Sequence, residues 1–103
     1  MLVHAVYIWL RDDVPVRDRQ AHLDDLRALA RIASVRAFHL GRPAASDRPV
    51  IERGYTYALV TVFDDLAGLD AYRAHPWHQT VNDAAGRYWK AQVVYDSTDD
   101  AIG

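Results

Sequence analysis

LVHAVYIWL, residues 2–10, decides how this chain folds. Taken two by two, its residues fall into the sets His4, Val6, Ile8, Leu10 and Val3, Ala5, Tyr7, Trp9. The β-branched and aromatic content favours a strand. Both faces are nearly all apolar, so neither is suited to water. A strand of this kind needs cover on two sides. The charged turn Arg11-Asp12-Asp13 and Pro15 end it.

Downstream, residues 16 to 33 change to helical spacing. Leu23, Leu26, Ala30 and Ala33 form a stripe, with Asp, Arg and Gln opposite, as an amphipathic helix requires. VRAFHLG, 35–41, reads as a second strand, and residues 42–54, RPAASDRPVIERG, as a long loop of the length that is often functional. YTYALVTVF, 55–63, is the clearest strand, with Tyr55, Tyr57, Leu59 and Phe63 opposing Ala58, Val60 and Val62. Asp64 and Asp65 are good N-cap residues for a helix carrying Leu66, Leu69 and Tyr72 to about residue 74. Pro76 cannot continue that helix but suits the first turn of another, in which His78, Val81 and Ala85 recur and which Gly86 closes. YWKAQVVYD, 88–96, is the last strand, and STDDAIG is a polar tail without pattern.

The order is a β-α-β unit written twice. This predicts an α+β protein of the ferredoxin-like, split βαβ type: one domain over residues 1–103, with a four-stranded antiparallel sheet and both helices on one face. The other sheet face is then left apolar and open, a strong association patch. The economical cover is a second copy, two sheets packing face to face in a homodimeric α/β barrel.

Composition narrows the function. The formal net charge is -2 and no basic cluster occurs, so nucleic-acid binding lacks its electrostatic requirement. Cysteine is absent, which removes disulfides, thiolate nucleophiles and thiolate metal sites. No apolar run approaches the roughly twenty residues of a membrane span, and the N-terminal run lacks the flanks of a signal peptide, so a cytoplasmic location and no membrane partner are expected. There is no phosphate cradle, nucleophile elbow or dinucleotide fingerprint, so no cofactor is expected and any chemistry would use side chains alone.

The decapeptide AYRAHPWHQT, 71–80, is the candidate site. Spacing aims Tyr72 and His78 at the sheet, where polar groups need partners. One reading is a core tyrosine bonded to a histidine at the chain reversal around Pro76. The other is an acid/base pair, His78 taking a proton α to a carbonyl while Tyr72 stabilises the developing oxyanion. His75 is expected to cap terminal carbonyls, His22 to face solvent, and Trp77 to shield the site or meet a partner subunit. His4 and Tyr57 are candidate pocket residues. A metal site lacks convergent ligands, so none is expected. Arg42, Arg48 and Arg53 border the long loop and either steer an acidic substrate or are merely solvated.

The chain resembles the stress-responsive dimeric α/β-barrel (Dabb) family along nearly all its length. The resemblance is carried by HAVYIWLR, FHLGRP, ERGYTYALVTVF, DAYRAHPWHQ and YWKAQVVYD, and above all by the pattern Y-x-x-H-P-x-H, here Tyr72, His75, Pro76 and His78. It implies a ferredoxin-like monomer paired with a second copy through the open sheet face, and a pocket for a small apolar or aromatic acid ligand. One plant member similar in this motif cyclises a linear polyketide by aldol condensation without cofactor. By resemblance its acid/base pair maps to Tyr72 and His78, and its first-strand histidine to His4. A further pocket histidine is replaced by Tyr57. A non-enzymatic stress or scaffold dimer and a cofactor-independent monooxygenase are the alternatives.

Overall fold

The computed structural model describes residues 1–99, and the rest of the polar tail, 100–103, lies outside them. Strand β1, Leu2–Leu10, alternates strictly between buried and half-buried residues. His4, Val6, Ile8 and Leu10 face the helices, while Val3, Ala5, Tyr7 and Trp9 lie on the opposite face. Helix α1, Val16–Ala28, tightens into a 3₁₀ turn at Leu29–Arg31 and so stops short of residue 33. Its buried stripe is His22, Leu26 and Leu29, continued by Ile32, and not the stripe through Leu23, Ala30 and Ala33.

Strand β2, Ala37–Gly41, and strand β3, Tyr57–Phe63, follow, each starting two residues later than the sequence suggests. The delay at β3 has a physical cause. Thr56 donates its N–H to Ile8 O (2.7 Å), and its hydroxyl accepts from Leu10 N (3.0 Å), so the chain bends there. Tyr55 is thereby placed against Tyr7 and Trp9, on the face opposite Tyr57 and Leu59.

Helix α2, Leu66–Ala74, is capped by Asp65, whose side chain accepts from Gly68 N at 3.0 Å. Leu69 and Tyr72 are buried in it, but Leu66, in the first turn, is exposed. Helix α3, Pro76–Tyr88, has proline in its first turn and runs through Gly86 without ending there. Tyr88 thus belongs to the helix, and strand β4, Trp89–Thr98, takes in Ser97 and Thr98 of the expected tail by pairing them with Val3 and Leu2 of β1.

The sheet order is β2-β3-β1-β4, with every neighbouring pair antiparallel. This is the ferredoxin-like arrangement. The core lies between the sheet and the helices, built on Val6, Ile8, Leu26, Leu29, Leu59, Phe63, Leu69 and Val81. On the other face Tyr7, Trp9, Glu52, Tyr55, Val93 and Tyr95 line a trough of about 510 Å³ that no element among the described residues covers. Among the described residues no helix is long and apolar enough to cross a membrane.

Candidate functional site

Proline at position 76 sets the site's shape. Helix α2 ends at Ala74, and His75 adopts an extended backbone between the helices. Its ring does not cap the outgoing carbonyls; His75 Nδ1 accepts from Trp77 N (3.1 Å) and so caps the start of α3. The two helices meet at this elbow, which turns Tyr72 from α2 and His78 from α3 toward each other. Trp77 points outward, against the His75 ring and beneath the Arg31 guanidinium at 5.5 Å.

The rings of Tyr72 and His78 meet edge to face, 4.8 Å between centroids and 70° between planes. Both line a partly open cavity of about 440 Å³, whose apolar walls come from Val6, Leu59, Val81 and Trp89 and whose polar ones come from Asn82, Lys90 and Gln92. Tyr72 packs its ring against Phe63 and is wholly buried (0 % exposed). Among the described residues its hydroxyl has no hydrogen-bond partner, nor has His78 Nδ1. No bond joins the two, so the tyrosine–histidine hydrogen bond of the structural reading is absent. The Thr61 hydroxyl, the polar group beside Tyr72, is directed to His4 O (3.4 Å).

Burial sets the charge states. It pushes the Tyr72 phenol up to about 12, with a smaller opposing influence from Thr61. It lowers His78 below its ordinary value, helped by His4 and Arg73 nearby. At neutral pH the site therefore holds a protonated phenol and an uncharged imidazole.

His4 stands behind Tyr72, with ring centroids 6.2 Å apart, and does not itself line the cavity. Its Nδ1–H donates to Asp96 Oδ1 (2.5 Å), because β1 and β4 pair with His4 opposite Asp96. Arg73 approaches the other carboxylate oxygen at 3.7 Å. Asp96 is the residue that sequence reasoning missed. Only the strand register brings it to His4.

Tyr57 is not part of this cavity. It lines a separate cleft with Leu23, Arg27, Leu40 and Arg42, on the β2 side of the helical face. His22 does not face solvent: it is buried, and its Nε2 accepts from the Trp89 indole N–H at 2.8 Å. Burial lowers its pKa, against an upward pull from Asp25. Among the described residues no group of three or more histidines and carboxylates is placed to hold a metal ion.

A ferredoxin-like sheet with an uncovered face, and a tyrosine–histidine pair in a cavity of mixed polar and apolar lining beneath its helices, define an α/β-barrel class of protein. The sequence model of the Dabb family, the Stress responsive A/B Barrel Domain, matches residues 2–99, and the chain belongs to that family. Among solved structures it is similar to a dimeric ferredoxin-like protein of unknown function from Jannaschia sp. CCS1, with 25 % identity, 94 % of this chain and 97 % of that one covered, and a TM-score of 0.76. It is also similar to At3g17210 of Arabidopsis thaliana (19 % identity, 100 % and 99 % covered, TM-score 0.79). A hydroxynitrile lyase from Passiflora edulis matches at 18 % identity, with 99 % and 96 % covered and a TM-score of 0.78. At the two lower identities the likeness is one of fold alone. No curated protein sequence matches the chain.

Proposed function

We propose that this protein is a homodimer, joined through its open sheet face, in which each protomer carries out cofactor-free acid/base chemistry on a small, largely apolar or aromatic carbonyl compound. One observation carries the reading. Two buried polar atoms on rings that meet edge to face, Tyr72 Oη and His78 Nδ1, have no partner among the described residues and belong to residues that line the same cavity. Leaving such groups unpaired costs stability, on the order of 1–3 kcal/mol each. A ligand polar group that satisfies both would account for that cost.

The roles follow from the charge states. His78, neutral at pH 7, takes the proton α to a carbonyl, and the electron pair moves onto the carbonyl oxygen. The Tyr72 O–H donates to that oxygen and holds the enolate. The enolate carbon attacks a second carbonyl, and the proton on His78 passes to the new alkoxide, closing an aldol step without net gain or loss. Run backward, the same groups serve a lyase reaction. His4, held by Asp96, buttresses Tyr72 from behind. The dimer is supported by the uncovered aromatic trough and by the dimeric state of the Jannaschia relative. A cytoplasmic location suits a chain without cysteine.

The test is a panel of aryl and alkyl carbonyl compounds screened by thermal shift, and then by turnover, against the wild type, Tyr72→Phe and His78→Ala. A compound that is turned over by the wild type and by neither variant supports the proposal. Turnover retained in both variants overturns it, as does a panel in which nothing raises the melting temperature; the latter leaves the scaffold dimer.

A further inference from the structure

His22 is a buried titratable group that the chemistry above leaves unused. It sits on the inner side of α1, and its Nε2 accepts the Trp89 indole N–H at 2.8 Å. A neutral imidazole that accepts through one nitrogen carries its proton on the other. That second nitrogen, Nδ1, has no partner among the described residues. A leucine would fill the same place without leaving a polar atom unpaired. What histidine offers there, and leucine lacks, is the acceptor. Trp89 has need of one. It stands where α3 ends and β4 begins, and the β1–β4 register shifts beside it, so strand alternation does not fix the direction of its ring. Trp89 lines the Tyr72–His78 cavity among Ala85, Gly86 and Ala91, all of them small. The position of the indole therefore sets how much of that part of the cavity is free.

We infer, on the reading of that cavity as a ligand site, that His22 is its positioning residue: without lining the cavity itself, it holds the Trp89 indole as the wall against which the apolar body of a carbonyl ligand packs. The hold depends on the charge state of His22, because a protonated ring has no lone pair left for the indole. Burial, the largest influence, keeps the ring neutral. The charged groups facing it are Asp25, on its own helix, which favours protonation, and Arg87 of α3, which opposes it. Arg87 lies over the Tyr88 ring, which in turn packs against His22 at 5.7 Å. From β4 His22 meets only the uncharged indole.

The experiment follows the indole N–H signals of the 3 tryptophans by NMR, that of Trp89 assigned with Trp89→Phe, and titrates acetophenone into the wild type, His22→Leu and His22→Gln. In the wild type the Trp89 signal should lie downfield and move as the pH falls below 6.5. In His22→Gln, whose side-chain oxygen still accepts, it should stay downfield and no longer move. His78 titrates in both proteins, so the difference belongs to His22. Acetophenone should bind His22→Leu about fivefold more weakly than the wild type, and His22→Gln nearly as well as the wild type. Equal affinity in the wild type and His22→Leu overturns this inference alone, as does a Trp89 signal that responds neither to pH nor to the substitutions. Binding weakened in His22→Gln as much as in His22→Leu also overturns it, since the loss then follows the packing and not the acceptor. Acetophenone bound by none of the proteins overturns it together with the ligand-site reading. Should His22→Leu fail to fold, the Trp89 signals of the wild type and His22→Gln decide.

Discussion

The Tyr72 and His78 rings meet edge to face at 4.8 Å, yet among the described residues neither the phenol oxygen nor His78 Nδ1 has a hydrogen-bond partner. A pair retained only for packing gains nothing from that hydroxyl. Tyr72→Phe keeps the ring and its contacts with Phe63 and removes an unsatisfied polar atom. Its stability is expected to equal or exceed that of the wild type by about 1 kcal/mol. Turnover, once a substrate is in hand, should fall by a factor on the order of 10²–10⁴. Chemical denaturation read beside the rate separates the two roles: a variant that loses stability and keeps its rate assigns Tyr72 to structure.

Acid should destabilise the fold through two histidines. Burial lowers the pKa of both His22 and His78 from the ordinary 6.5. In the unfolded chain each takes its proton near 6.5; in the folded chain it does so only at lower pH. Between those values the unfolded state binds more protons, so stability is complete above about pH 6.5 and declines as the pH falls below it. His22→Gln preserves an acceptor for the Trp89 indole and cannot titrate. Melting temperatures taken from about pH 7.5 down to about 5 should fall less steeply in that variant. Parallel curves would mean that His22 is not neutral in the fold.

Much of the fold is legible in residues 2–10, because an alternation of two fixes both faces of a strand at once, and Pro76 and Asp65 mark helix starts by backbone chemistry that does not depend on the rest of the chain. The failures have equally local causes. In α1 two stripes overlap, and His22, Leu26, Leu29, Ile32 is as regular as Leu23, Leu26, Ala30, Ala33; discounting histidine as a core residue favours the wrong one. Tyr55 is misplaced because the bend at Thr56 depends on Leu10, 46 positions away. Asp96 reaches His4 only through a strand register. No spacing along the chain encodes that. Tyr72 and His78 could be paired from sequence because they flank one proline; Tyr57 could not be separated from them, because that division depends on where α1 crosses the sheet.

The Asp96–His4 contact orients a ring that no other side chain bonds among the described residues. Asp96→Asn keeps the shape but replaces a carboxylate acceptor with an amide that can also turn its donor toward the ring. The His4 ring should lose its fixed tautomer, with a stability loss of about 1 kcal/mol. Nitrogen-15 NMR of the histidine rings checks it directly: His4 in the wild type should show a protonated Nδ1, and the variant a mixture. An unchanged spectrum would mean that Asp96 does not set the tautomer.

Gly86 lies within α3 and borders the cavity, and a Cβ built there meets no heavy atom within 4 Å. Glycine inside a helix is costly mainly through backbone entropy. Gly86→Ala is therefore expected to stabilise the protein by about 1 kcal/mol, read as an increase in denaturation midpoint. A loss of stability would show that the wall must give way for the added methyl group.

The open face of the sheet yields the last prediction. Tyr7 packs edge-on against Tyr55 at 5.1 Å and against Tyr95 at 6.4 Å, and Tyr95 remains exposed within the single chain. If a second copy covers this trough, a charge at Tyr7 would be buried without a counter-charge, a cost of several kcal/mol that a face-to-face sheet contact does not offset. Tyr7→Glu should then convert the dimer to a monomer in light scattering, while Asp83→Lys, on the exposed side of α3, leaves it dimeric. The monomer should also bind more of a dye that reports exposed apolar surface. A Tyr7→Glu protein that stays dimeric would move the interface elsewhere, and the apolar outer face of β1 would then need a different cover.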